Sequence, residues 1–126
     1  KRQHADLHAV MTAQPPHATA YAVAGAGFDV RTIPETYVLL RDIPLIPYGT
    51  QYTAPEEIAA RLSLHSPVLL IQNDCGLVAG RSVLDALDRL EVLEFSARAL
   101  LETRNIGPVA PITADDIDAL KEAFPV

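Results

Sequence analysis

The sequence predicts an α/β fold, and three stretches carry that reading. Residues 68–72 are an apolar run of strand length. They end at a polar turn, Asn73-Asp74-Cys75-Gly76, after which a second short apolar run leads to Gly80. Residues 7–14 alternate with the period of a strand: His8, Val10, Thr12 and Gln14 fall on one face, Leu7, Ala9, Met11 and Ala13 on the other. Residues 82–103 have a helical period instead, with Val83, Leu87, Leu90, Ala97 and Leu101 on one face at steps of three or four or their multiples. Polar groups at the end of a buried strand are firmly held yet within reach of solvent, which is where ligand sites gather in α/β proteins.

The other elements follow from local signals. Pro15-Pro16 ends the first strand and opens a helix over 17–24, which Gly25-Ala26-Gly27 stops. Thr32 and Glu35 have the spacing of a capping box and predict a short helix over 34–40. Residues 43–47 form a short strand that tolerates its prolines only near a sheet edge. Residues 48–52 read as loop, and Thr53 as the cap of a helix over 54–63 with Pro55, Glu56 and Glu57 in its first turn. Ser82 and Asp85 cap the long helix, and Thr113 caps a last one that has Asp115 and Asp116 at its start and Lys121 near its end.

Composition narrows the function. With 126 residues, 49 % of them apolar, the chain is expected to fold as one domain around a fair core. The net charge of −6 and the absence of a Lys/Arg cluster along the chain argue against a nucleic-acid partner. A single cysteine forms no internal disulfide and fits a reducing cytoplasm, the expected location. No apolar run approaches the roughly 20 residues that span a bilayer, so no membrane partner is expected. The chain opens on Lys1-Arg2-Gln3-His4 without an initiator methionine and soon reads as strand, which predicts a preceding N-terminal part.

Two segments carry a resemblance. Ala9-Val10-Met11-Thr12-Ala13-Gln14-Pro15-Pro16-His17-Ala18-Thr19-Ala20 resembles the motif of the class II sugar-phosphate aldolase/adducin head family, commonly His-Thr-His-Pro-Pro-(Tyr)-Ala-Thr-Ala. Leu69 to Gly80 with the helix from Ser82 to Ala97 resembles the family's later signature: a buried strand, Asn-His-Gly, a glycine, and a helix with an Ala…Glu-x-x-Glu pattern, here Asp85-Ala86-Leu87 and Glu91-Val92-Leu93-Glu94. The resemblance runs from about residue 6 to 103. It implies a three-layer α/β/α domain with a central, largely antiparallel sheet, of which residues 1–126 form the C-terminal part. It also implies a homo-oligomer, a tetramer in the active members. Those members hold a divalent metal, usually zinc, on three histidines and act as aldehyde-lyases of carbohydrate metabolism.

Aligned on the two prolines and on Gly76, the resemblance places the ligand positions at Thr12, Gln14 and Cys75, none of them histidine. Even spacing still sets Thr12 and Gln14 on one strand face, but hydroxyl and amide oxygens are weak zinc ligands. Cys75 is then the best single candidate for a metal, and no cofactor is expected with assurance. The proton-transfer residue is expected upstream of Lys1. Thr12, Gln14, Asp74, Cys75 and His17 are the candidate pocket residues, each with an ordinary alternative. Cys75 packs under the turn, Asp74 belongs to turn chemistry, Thr12 and Gln14 bond neighbouring backbone, and His17 is a capped or solvent-facing helix residue. His4, His8 and His65 read as surface or core residues. Glu94, between Leu90 and Ala97, needs a partner, for which Arg98 one turn on is the nearest.

Two functions follow. One is an aldolase-like lyase or isomerase for a small hydroxy-carbonyl or sugar-phosphate compound, with an altered metal site. The other is a non-catalytic binding or assembly module of the kind the adducin head represents.

Overall fold

The computed structural model describes residues 4–125. Four strands form one sheet in the order β1-β4-β3-β2: β1 (Ala9–Ala13), β4 (Cys75–Gly80), β3 (Val68–Ile71) and β2 (Leu45–Ile46). β1 and β3 both run antiparallel to β4, while β2 pairs parallel with β3. The expected largely antiparallel sheet is therefore observed, with one parallel pair at its edge. β2 is two residues long and lies between Pro44 and Pro47, as an edge position requires.

Alternation sorts the strands between two cores. Val68 and Leu70 of β3 and Val78 of β4 face one side, packed with Ala18 and Ala22 of α1 (Pro16–Ala24), Tyr37 and Leu40 of α2 (Pro34–Leu40), and Ala86, Leu93 and Ala97 of α5 (Val83–Glu102). Ile117 of α6 (Ala114–Ala123) closes that layer. Leu69, Ile71, Cys75, Leu77 and Ala79 face the other side, with Ile58 of α4 (Pro55–Arg61) and Leu62 just beyond it. This is the three-layer arrangement. Its second layer is thin, and the outward residues of β1, Val10 and Thr12, remain exposed.

The long helix lies close to β4 because that strand offers glycines on the facing side. A Cβ on Gly80 would come within 2.6 Å of the Ala86 nitrogen, and one on Gly76 within 3.2 Å of Leu93 Cδ2. The predicted cap of α5 is present: Ser82 Oγ accepts from the Asp85 amide at 3.0 Å, and Asp85 Oδ2 accepts from the Arg81 amide at 2.7 Å. Thr113 likewise caps α6, accepting from the Asp116 amide at 3.2 Å.

Four local expectations are corrected. Thr32 does not cap α2; Ile33 occupies the cap position without a side-chain bond, and Pro34 starts the helix. Residues 48–52 are not all loop, since Thr50–Thr53 makes a helical turn, α3, that opens on Gly49 in the left-handed region at φ 88°. Thr53 therefore ends α3 and bonds back to the Gly49 carbonyl rather than capping α4. The buried stripe of α5 is also rotated from the predicted one. Ala86, Arg89, Leu93, Ser96 and Ala97 are inside, whereas Val83 is 68 % and Leu87 39 % exposed. Polar residues can line this stripe because they find partners. The Arg89 guanidinium pairs with Asp85 at 2.5 Å, and Ser96 Oγ bonds Thr36 Oγ1 and the Val92 carbonyl, both at 2.6 Å.

Candidate functional site

The thin side of the sheet leaves a cavity of about 560 Å³ where β1, β3 and β4 end beneath α3 and α4. Thr12 and Gln14 reach it from β1, Asp74 and Cys75 from the turn and the start of β4, and Gln51 from α3. Ile58, Ile71 and Leu77 form its apolar floor. Register explains the convergence: Thr12 lies opposite Leu77 and Ala13 opposite Gly76, so Thr12 and Gln14 share the face of Leu77 and Cys75. The turn is tight. Ile71 pairs with Cys75, and Asn73 adopts φ 60°, a conformation asparagine tolerates better than most residues.

Hydrogen bonds fix the polar rim. Gln14 Nε2 donates to the Asp74 carbonyl at 3.1 Å, and Gln51 Nε2 donates to Asp74 Oδ2. The two glutamines thus hold Asp74 at its backbone and at its side chain. Gln51 Oε1 is buried and has no hydrogen-bond partner among the described residues. Gln51 was not foreseen from the sequence. It stands 23 residues before Asp74 in a stretch read as loop, and only the helical turn of α3 brings it in.

Four of the five sequence-predicted pocket residues, Thr12, Gln14, Asp74 and Cys75, meet here. His17 does not. It stands at the start of α1 on the opposite side of the sheet, where its Nδ1–H donates to Glu94 Oε2 at 2.7 Å. Glu94 also accepts from the His17 and Ala18 amides at 2.9 and 3.0 Å. Its partner is therefore His17 and the open N-terminus of α1, not Arg98. Pro15 at the cap of α1 offers no side-chain acceptor, and a carboxylate from α5 supplies one. Burial is the largest influence on Glu94 and pushes its pKa up. The hydrogen bonds from the His17 ring and from the Ala18 and His17 amides together outweigh it and hold the carboxyl below the usual range.

The donor chemistry of the pocket does not fit the divalent metal that the resemblance implies. Thr12 and Gln14 are neutral, the Gln14 amide N–H points to the Asp74 carbonyl, and one Asp74 oxygen is taken by Gln51. Among the described residues, no three His, Cys, Asp or Glu side chains gather as a metal-binding group. Burial, and then the charge of Asp74, push the Cys75 thiol pKa up, so it stays protonated at neutral pH and is a poor ligand in that form. Cys75 is expected to react with iodoacetamide at pH 8 at least about tenfold more slowly than a free cysteine in the urea-unfolded chain. An equal rate in both states would contradict the buried, protonated thiol.

The mixed α/β arrangement around a central sheet is the fold of class II aldolases. The family model of the Class II Aldolase and Adducin N-terminal domain matches residues 2–101, and the chain belongs to that family. A search of curated protein sequences finds no match. Among solved structures, YgbL from Klebsiella pneumoniae, provisionally described as an aldolase/epimerase/decarboxylase, superposes with a TM-score of 0.76 at 26 % identity, covering 93 % of this chain and 58 % of its own. YgbL from Escherichia coli gives 0.81 at 21 %, covering 95 % and 60 %. The L-fuculose 1-phosphate aldolase of Glaciozyma antarctica PI12 gives 0.77 at 16 %, covering 97 % and 46 %. The chain therefore spans less than two thirds of the length of these relatives. No helix among the described residues is long and apolar enough to cross a membrane.

Proposed function

We propose that this chain forms the substrate pocket of an aldolase-like lyase or isomerase that binds a small hydroxy-carbonyl compound through hydrogen bonds. The carrying observation is the convergence of Thr12, Gln14, Gln51 and Asp74 on one cavity above an apolar floor. A hydroxyl and two carboxamides both donate and accept, which suits the carbonyl and hydroxyl groups of such a compound. Among the described residues the cavity lining contains no Lys, Arg or His, so these residues do not neutralise a phosphate. The part of the substrate that enters is accordingly its uncharged hydroxy-carbonyl end, and the proton-transfer group comes from outside these residues. Titrating dihydroxyacetone and glycolaldehyde, followed by amide NMR, tests the reading. Shifts are expected at Thr12, Gln14 and Asp74, and Gln14→Leu is expected to weaken binding about tenfold. Binding unchanged in Gln14→Leu would overturn the reading.

The second reading is a non-catalytic binding or assembly module. The lack of a three-donor metal group among the described residues favours it. Release of an aldehyde from hydroxy-carbonyl substrates by the full-length protein separates the two, since a module binds without turnover. The homo-oligomer that the family resemblance implies belongs to both readings, and sedimentation equilibrium measures it.

A further inference from the structure

At the other end of β4 the chemistry is reversed. A cavity of about 370 Å³ is lined by Arg41, Arg81 and Arg89, and a second of about 480 Å³ shares Arg41 with it and adds Lys121, His65 and Asp42. Four of the chain's ten Lys and Arg residues thus border one groove, in a protein whose net charge is −6. Among the described residues, Asp42 is the only carboxylate in the two linings. Two others lie beside the basic groups: Asp85 pairs with Arg89 at 2.5 Å and interacts through its charge with Arg81, and Asp118 lies 4.0 Å from Lys121.

Two of the three arginines, Arg89 and Arg41, are held in place. The Arg89 side chain is 10 % exposed, and its Nε and Nη1 bond the Leu39 and Ala79 carbonyls at 3.3 and 3.4 Å. Its Nη2 has no partner among the described residues. Arg41 stacks on Tyr37 with 5.1 Å from Cζ to the ring centroid, and its Nε and Nη2 bond the carbonyls of Val38 and Phe124. Its Nη1 remains free among the described residues, and so does the whole Arg81 guanidinium. Fixed guanidiniums with free N–H donors, and few carboxylates facing them, are the usual receptor for an oxyanion. Leu39, Leu64 and Phe124 add apolar wall for a carbon skeleton.

We propose that this groove binds a small molecule bearing phosphate or carboxylate groups, held by Arg41, Arg81 and Arg89. Five residue steps of β4 separate it from the Cys75 end, about 17 Å at strand spacing, so it is distinct from the candidate pocket. The proposal stands whether or not that pocket is catalytic. Calorimetric titration of the full-length protein with pyrophosphate and, separately, with citrate tests it. Binding of at least one anion is expected, weakened at least about tenfold in Arg81→Gln. A response to pyrophosphate alone assigns a phosphate ligand; to citrate alone, a polycarboxylate. The Arg81 side chain is exposed and bonds nothing, so its loss leaves the fold intact. In the unaltered protein, the Arg89 side-chain N–H resonances are expected to shift on addition of the anion. The proposal is overturned if neither anion binds at millimolar concentration, or if binding survives both Arg81→Gln and Arg41→Gln.

Discussion

Replacing Gly80 by alanine is expected to destabilise the protein by about 3 kcal/mol, read as a lowered midpoint of urea unfolding. The new methyl group would stand 2.6 Å from the Ala86 nitrogen, 2.9 Å from Asp85 Oδ2 and 3.1 Å from Ala86 Cα. Two of these three are backbone atoms in the first turn of α5. That turn cannot move freely, because Ser82 caps it and Asp85 ties it to the Arg81 amide and to Arg89. Gly76→Ala is the internal comparison. Its methyl meets the side-chain end of Leu93 at 3.2 Å, which can adjust more cheaply than backbone, so the cost is expected near 1 kcal/mol. Equal costs at the two positions would show that the close approach of α5 to β4 does not set the spacing of this layer.

The second large effect is expected at Glu94. Glu94→Ala leaves the His17 and Ala18 amides and the His17 ring without their acceptor, at a cost of about 2–3 kcal/mol at pH 7. The sign of the pH dependence follows from the depressed pKa. The unfolded carboxyl titrates near its ordinary value of 4.5 and the folded one below it, so the contribution is fully present above that value. It is lost as the pH falls through the folded pKa. Glu94→Gln keeps an acceptor but not the charge, and its unfolding midpoint should fall less than that of the parent protein as the medium is acidified. Parallel acid profiles for the parent and Glu94→Gln would rule out this carboxylate as the anionic cap of α1.

Much of this arrangement was legible in the sequence wherever a local signal decided the outcome. The apolar run at 68–72, the alternation at 7–14 and the Ser82 cap each depend on neighbours within a few residues, and they appear as the strands Val68–Ile71 and Ala9–Ala13 and the observed cap. So does the common face of Thr12 and Gln14, because strand alternation needs no tertiary information. Some misreadings were local, since Ile33 rather than Thr32 precedes Pro34 and Thr53 closes its own turn on Gly49, but the larger ones depend on distant partners. Glu94 meets a histidine 77 residues away, whereas helical spacing pointed to Arg98. Arg89 and Ser96 are buried because Leu39, Ala79 and Thr36 satisfy them, and no helical period of apolar residues reveals that. Gln51 enters the cavity through one short helical turn whose sequence, Thr-Gln-Tyr-Thr, has little intrinsic helical preference.

The two ends of the sheet differ in a way that affects how this chain meets others. On one side the last strand is a two-residue β2 between prolines, too short and too poor in N–H donors to template another strand. On the other side is β1, five residues long, with no proline inside it and its outer ladder unpaired among the described residues. Among the described residues a further strand, from this chain or another, can therefore add at β1 but not at β2, and a lysine or proline introduced into β1 would oppose that addition.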